Sequence, residues 1–477
     1  MATHLPVLQP DGSPGRSLFP KGSLRGDGKR NFVYPADVKG RFTSARTLLF
    51  VILIGIYAAL PWIQIKGHPA VYLDIAERKF FLFGATFNSQ DIWMTVFLLT
   101  GAAFGLVFAT ALLGRAWCGW ACPQTVFLEG VYRRIERIVE GPREKRMRRD
   151  DGPWTVDKIW RKVVVHALWL VVSFALAHVF LSYFVSLRQL FQMMRHRPEE
   201  HPEAFLVVMA LAGLMHFNFV WFREQFCVVM CPYGRLQSVL LDPDSLVVGY
   251  DQARGEPRGK VKDPNRGACV DCNRCVVVCP TGIDIRAGLQ MDCIACTQCI
   301  DACDEVMDKV HQPRGLIRYD SPNGFAAKPK RLFRPRVLIY TALGALGLIV
   351  ATLSMRTHEP FEANVLRVQG APYVLDGDDV RNAYRLHLIN KGSGATTFHV
   401  VPEPVAGVVF IVPLKDVRLE SLASADVPIF ATMPRASFHQ QVGLRIVIKN
   451  DLGEERTMVA PFLGPGPGAQ HASLGPR

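Results

Sequence analysis

Residues 269–280 read CVDCNRCVVVCP, and residues 293–303 read CIACTQCIDAC. The spacing is Cys269-x2-Cys272-x2-Cys275-x3-Cys279-Pro280, followed by Cys293-x2-Cys296-x2-Cys299-x3-Cys303. Eight cysteines thus obey one rule twice. A disulfide scaffold scatters its cysteines through a small secreted domain, whereas tight, even spacing is metal-ligand behaviour. Zinc sites pair CxxC with a distant CxxC or HxxxH, so a structural zinc pair is the weaker reading of these compact runs. Residues 236–335 are therefore expected to form a small domain built around these ligands.

The other four cysteines lie upstream. RAWCGWACPQ (115–124) holds Cys118 and Cys122, and FCVVMCPYGR (226–235) holds Cys227 and Cys231. Each motif is Cys-x3-Cys-Pro just past a hydrophobic window, which suggests a duplicated unit. A helix running on to the second cysteine would put the i and i+4 thiols on one face, and the proline would then help end it. Soft thiolates favour Cu(I), zinc or iron–sulfur. Cys118, Cys122, Cys227 and Cys231 are accordingly the candidate catalytic residues, with copper as the candidate metal. The bland alternative is buried free cysteine acting as a small apolar residue. The same spacing at two equivalent places argues against it.

Across 477 residues, 49% are hydrophobic and 20% charged, and the net charge is +13. This excludes a disordered chain. Five uncharged windows approach or exceed the bilayer requirement of about 20 residues: 47–65, 92–114, 163–187, 204–222 and 337–355. The 46 residues before the first are too long a lead for a signal peptide. They are expected to be a flexible basic leader, and the window a retained helix. Lys and Arg concentrate in this leader, in the loop 115–162 and before the last window. The positive-inside rule then places the N-terminus and the cysteine-rich segment in the cytoplasm and the C-terminal end in the periplasm. Topology accounts for the positive charge without nucleic acid. Val126–Asp150 is amphipathic at helical spacing and is expected on the inner membrane face or packed on the iron–sulfur domain. Trp62, Trp93, Trp117, Trp120 and Trp221 sit at window edges, as an aromatic belt does. His166, His178 and His216 fall inside windows, where ionisable groups are functional hypotheses; metal or haem ligation stays open.

From 361 to 463 the texture changes to short runs rich in Val, Ile, Phe and Tyr, separated by Gly, Pro, Asn and Asp. This predicts an antiparallel sandwich of about seven strands. It contains no cysteine and is assigned no chemistry, only partner contact. Residues 464–477 are read as a flexible tail. The expected whole is a multi-domain membrane protein: a five-helix transmembrane bundle (four spans within 47–235, the fifth at 337–355), a cytoplasmic ferredoxin-like domain and an all-β Ig-like sandwich.

The paired runs resemble the bacterial two-cluster ferredoxin motif, in which the fourth cysteine of each run ligates the other cluster. That resemblance implies two [4Fe-4S] clusters. One would take Cys269, Cys272, Cys275 and Cys303, and the other Cys293, Cys296, Cys299 and Cys279. The second run departs from it, with Asp304 where proline is expected. The whole chain resembles the CcoG (FixG, RdxA) family of cytochrome c oxidase accessory proteins. The likeness rests on Tyr34-Pro35, RAWCGWACPQTVFLEG from Arg115, FCVVMCPYGRLQ from Phe226, the paired cluster runs, GLIRY at 315–319 and an Ig-like C-terminus. It implies an inner-membrane polyferredoxin that reduces Cu(II) to Cu(I) for assembly of cbb3-type oxidases, with Cys118, Cys122, Cys227 and Cys231 handling copper. Oxidase assembly factors or copper chaperones and a cytoplasmic electron donor would be its partners; homo-oligomerisation stays open. Two alternatives are a NapH-like quinol dehydrogenase, which lacks the large C-terminal domain, and a non-enzymatic assembly scaffold.

Overall fold

The structure is a computed structural model that describes residues 32–65, 67–75, 79–88, 92–329, 331, 334–356, 361–392, 394–421, 423–438 and 442–465. The chain divides into two units, residues 1–351 and 352–477.

In the first unit, residues 32–40 form neither helix nor strand, and helix α1 (Arg41–Ala59) follows. The expected flexible leader is corrected over this stretch; residues 1–31 lie outside the described residues. Ala36 and Val38 pack on Val278 and Ala302 of the cysteine-rich segment, and Ala36 N donates to Val277 O at 3.0 Å. The helix starts six residues before the expected window because Asp301, far along the chain, caps it. The Asp301 carboxylate accepts from Phe42 N (3.3 Å), Thr43 N (2.7 Å) and Thr43 Oγ1 (2.8 Å). Such backbone N–H groups have no partner within the helix, and an anion there also suits the helix dipole.

Helix α2 (Ile92–Leu113) matches its window. Before it lies a three-stranded antiparallel sheet of β1 (Val71–Asp74), β2 (Lys79–Leu82) and β3 (Ala85–Asn88), which alternation over so few residues does not announce. Helix α3 (Val156–Leu181) begins earlier than 163 because Thr155 accepts from Lys158 N, and it ends at Ser182 rather than 187. Helix α4 (Pro202–His216) continues into a π-helical stretch, Phe217–Phe222. Among the described residues, four helices are long and apolar enough to cross a membrane: Arg41–Ala59, Val156–Leu181, Pro202–Phe222 and Pro335–Leu353. Leu99–Leu113 passes only together with Ala116–Glu140, the pair being bent by 99°. Gly114 makes the bend, with φ +58° and its Cα against Leu246 O, where a side chain has no room.

The first half of the amphipathic stretch packs on the apolar helices. Leu128 and Tyr132 pack with Val165, Trp169 and Phe219, and Trp169 Nε1 donates to Tyr132 O at 3.0 Å. Ile138 alone among its expected apolar positions stays open, at 82% exposure. Beyond it, strand β4 (Val247–Tyr250) pairs antiparallel with β5 (Ile317–Asp320), Val247 opposite Asp320. Between them run both cysteine motifs and helix α5 (Gln298–Lys309). Helix α6 (Pro335–Arg356) follows.

The second unit is a sandwich of nine strands among the described residues, not about seven. In chain order these are β6 (Phe361–Arg367), β7 (Val374–Asp376), β8 (Asp379–Asn390), β9 (Thr396–Pro402), β10 (Val409–Ile411), β11 (Asp416–Leu419), β12 (Ser424–Pro434), β13 (Val442–Asn450) and β14 (Glu455–Phe462). One sheet has the order β10-β12-β8-β6 with β7 also on β8, and the other β11-β9-β13-β14. Strand β8 alternates buried and open residues along its length. Leu386, Leu388 and Ile429 meet Phe398, Ile446 and Ile448 in the core. The surplus strands, β7 and β10, have three residues each, too few to show a period of two.

Candidate iron–sulfur and thiol site

The two cysteine runs fold alike. Asp271 and Asn273 in the first have positive φ, and so do Ala295 and Thr297, at the same offsets, in the second. Left-handed residues alternating with ordinary ones turn successive N–H groups inward, the concave "nest" that holds anionic groups and many iron–sulfur sites. Two cavities result. One is lined by Cys269, Cys272, Cys275 and Cys303 with Tyr250, Met307 and Ile317. The other is lined by Cys279, Cys293, Cys296 and Cys299 with Val248, Ile285 and Ala295, and Cys275 also reaches it. The fourth cysteine of each run thus crosses to the other run's cavity. Four soft sulfurs, apolar walls and inward N–H groups fit a [4Fe-4S] group in each. Burial pushes Cys275, Cys296 and Cys303 up to about 12 and Cys293 up to about 11, so bare thiols here stay protonated, whereas a coordinated thiol is deprotonated outright. Cys272 is the exposed member of the eight.

The upstream motifs do not run as helices through their second cysteine. Helix Ala116–Trp120 stops, and Cys122 (φ −61°, ψ 126°) is extended ahead of helix Pro123–Phe127. Cys231 (φ −69°, ψ 110°) likewise precedes helix Pro232–Leu240. Proline excludes the preceding residue from the helical region and is preorganised for the first turn of the next helix. It therefore starts a helix here rather than ending one. The two motifs still come together: Arg115 donates to Gly234 O (2.8 Å) and Gln124 Nε2 donates to Arg223 O (3.0 Å). Burial pushes Cys118 and Cys227 up to about 12. Cys118 Sγ donates to Gln237 Oε1 at 3.4 Å. Among the described residues no three side chains of ligand type close on a single ion. The same holds of the eight cysteines that line the two cavities.

These thiols adjoin the second cavity. Arg115 donates to Met291 O, to Cys293 O at 3.1 Å and to Gly234 O at 2.8 Å, and its charge lowers the pKa of both Cys118 and Cys293. Arg46 Nε donates to Gly119 O at 2.7 Å. On the other motif's side, Arg133 joins Glu129, Glu224 (2.8 Å) and Pro280 O (3.2 Å). Arg133, Glu129, Glu136, Arg146, Arg223 and Glu224 are all buried. Sequence reasoning missed this network, although charges at 129, 133 and 136 repeat at helical spacing. Trp120, expected in a membrane belt, instead donates through Nε1 to Tyr319 Oη at 3.1 Å. The histidines part company: His166 and His216 face each other with ring centroids 5.9 Å apart, while His178 bonds Phe174 O on its own helix at 2.8 Å.

Residues 222–322 match a 4Fe-4S dicluster domain, and residues 94–142 a 4Fe-4S binding domain. Residues 351–465 match the Ig-like fold at the C-terminus of FixG. The chain is 34% identical to the nitrogen fixation protein FixG of Rhizobium meliloti, over 92% of this chain and 94% of that one. It is 35% identical to protein RdxA of Cereibacter sphaeroides, over 84% and 87%. To RdxB of the same organism it is 37% identical, over 78% and 82%.

Proposed function

The chain belongs to the FixG/RdxA family and is an iron–sulfur electron-transfer protein; from that premise we propose that it reduces Cu(II) to Cu(I) at Cys118, Cys122, Cys227 and Cys231. The product serves assembly of a cbb3-type oxidase in the bacterial inner membrane. Cys269, Cys272, Cys275 and Cys303 hold one [4Fe-4S] group, and Cys279, Cys293, Cys296 and Cys299 the other. When bound, these groups supply one-electron transfer without substrate chemistry of their own. The observation that carries the reading is the adjacency of four gathered thiols to the second cysteine cavity, with the Arg115 guanidinium between them. Thiolates favour Cu(I), so a sulfur site that receives Cu(II) biases the reduction forward. An electron donor on the cytoplasmic side, and copper chaperones or oxidase assembly factors reached through the Ig-like unit, complete the scheme.

Reduced, anaerobically purified protein mixed with Cu(II) should lose its iron–sulfur EPR signal while a Cu(I) chelator complex forms, one ion per electron. Chelator signal no greater than a buffer control refutes the reading. Cys122→Ala with Cys231→Ala should abolish copper retention and leave the iron–sulfur absorbance intact. A second reading draws on the match of residues 94–142 to a 4Fe-4S binding domain: the four thiols hold a third iron–sulfur group. Iron analysis separates the two, since the double variant then loses a third of its iron rather than none.

A further inference from the structure

Trp120 lies between Cys118 and Cys122, and Tyr319 is the strand residue beside the second cavity. Trp120 Nε1 donates to Tyr319 Oη (3.1 Å), and Tyr319 Oη donates to Ala295 O (3.1 Å), the carbonyl just before Cys296. Phe42 closes over the pair edge-on, 6.4 Å from the Trp120 ring and 6.0 Å from the Tyr319 ring. Next to Trp120, Gly119 presses on the same loop: a Cβ there would stand 2.6 Å from Ile294 O and 2.7 Å from Ala295 O. Backbone meets backbone at this point because the residue has no side chain. Tyr319 and Gly119 reach the loop that carries Cys293 and Cys296 directly, and Trp120 reaches it through Tyr319. Arg133, from the other motif's side, reaches Pro280 beside Cys279. The cavity of Cys269, Cys272, Cys275 and Cys303 has an exposed member, Cys272, and faces outward.

We infer that the hydrogen-bonded pair Trp120–Tyr319, held by the Gly119–Ala295 contact, couples the second cysteine set to the membrane-side thiols, so that electrons enter at the Cys272 set and leave through the Cys279/Cys293/Cys296/Cys299 set. The inference rests on the reading that the four thiols take the copper. The step is one electron: the reduced iron–sulfur side loses it and Cu(II) gains it as Cu(I). No covalent bond changes, and both hydrogen bonds keep their protons.

Co(II), which thiolates bind and this protein has no means to reduce to a stable lower state, serves as the probe. Added to reduced protein, it should quicken spin relaxation of the EPR signal that survives in Cys272→Ser and leave unaffected the signal that survives in Cys296→Ser. Trp120→Phe and Tyr319→Phe should show wild-type EPR signals and wild-type Co(II)–thiolate absorbance, yet bleach with Cu(II) at least roughly tenfold more slowly, since small displacements of reacting centres carry large rate costs. Relaxation of both signals alike, or Cu(II) rates unchanged in both variants, overturns the inference and leaves the copper reading standing. Absence of any Co(II)–thiolate band in the wild type sinks the copper reading and the inference together.

Discussion

Arg133 shows how single residues carry this structure. It is 1% exposed, with Glu129 beside it, Glu224 at 2.8 Å and Pro280 O at 3.2 Å. One guanidinium thereby ties both Cys-x3-Cys-Pro segments to the loop after Cys279. Arg133→Met keeps much of the volume but takes a guanidinium partner from each of two buried carboxylates, Glu129 and Glu224. Breaking such a network by removing one partner costs about 3–5 kcal/mol, so the variant's denaturation midpoint in detergent should fall sharply. An unchanged midpoint would mean that water reaches the carboxylates. At this scale the cysteines were legible because ligand spacing is local. The partners of Arg133 were not, since Glu224 lies 91 residues away and charge alone does not say what it meets. Trp120 misled for a related reason: an indole at a window edge reads as a membrane anchor until its N–H finds a partner.

Among elements, the ends were harder to read than the middles. The spans were recognised by apolar length, but their starts were set by caps. Thr155 is a cap of the usual local kind, whereas α1 is capped from another part of the chain by Asp301, between Cys299 and Cys303. Asp301→Asn keeps an accepting oxygen and should cost only the charge–dipole contribution, about 0.3–1 kcal/mol, whereas Asp301→Ala also loses the cap, a further ~1 kcal/mol. The denaturant concentration at which iron–sulfur absorbance is lost reads this out, because the capping residue sits within the ligand run. Equal stability of all three proteins would show that water replaces the cap. The Cys-Pro pairs teach the complementary lesson. The same residue that ends one helix when placed inside it begins another when placed at its first turn. The spacing was visible in the sequence, but the break before the second cysteine was not. In the Ig-like unit, β8 could be read from alternation over twelve residues, whereas three-residue strands carry no pattern to read.

For the molecule as a whole, the number of crossings decides which side each end faces. Four crossings put residues 32–40 and the Ig-like unit on the same side of the membrane; a fifth, through the bent pair that ends in Ala116–Glu140, puts them on opposite sides. The alternation of Lys- and Arg-rich loops favours the second arrangement. A phosphatase reporter fused after Arg477 should then be active only in the periplasm, and cytoplasmic activity of a matching reporter would mean that the bent pair enters and returns.

The remote cap on α1 also bears on how the protein is made. Asp301 emerges from the ribosome 258 residues after Thr43, by which time most of the hydrophobic segments have already met the insertion machinery. The first helix must therefore enter the bilayer with its leading amides bonded to water, and it reaches its final setting only when the cysteine-rich segment arrives to complete it.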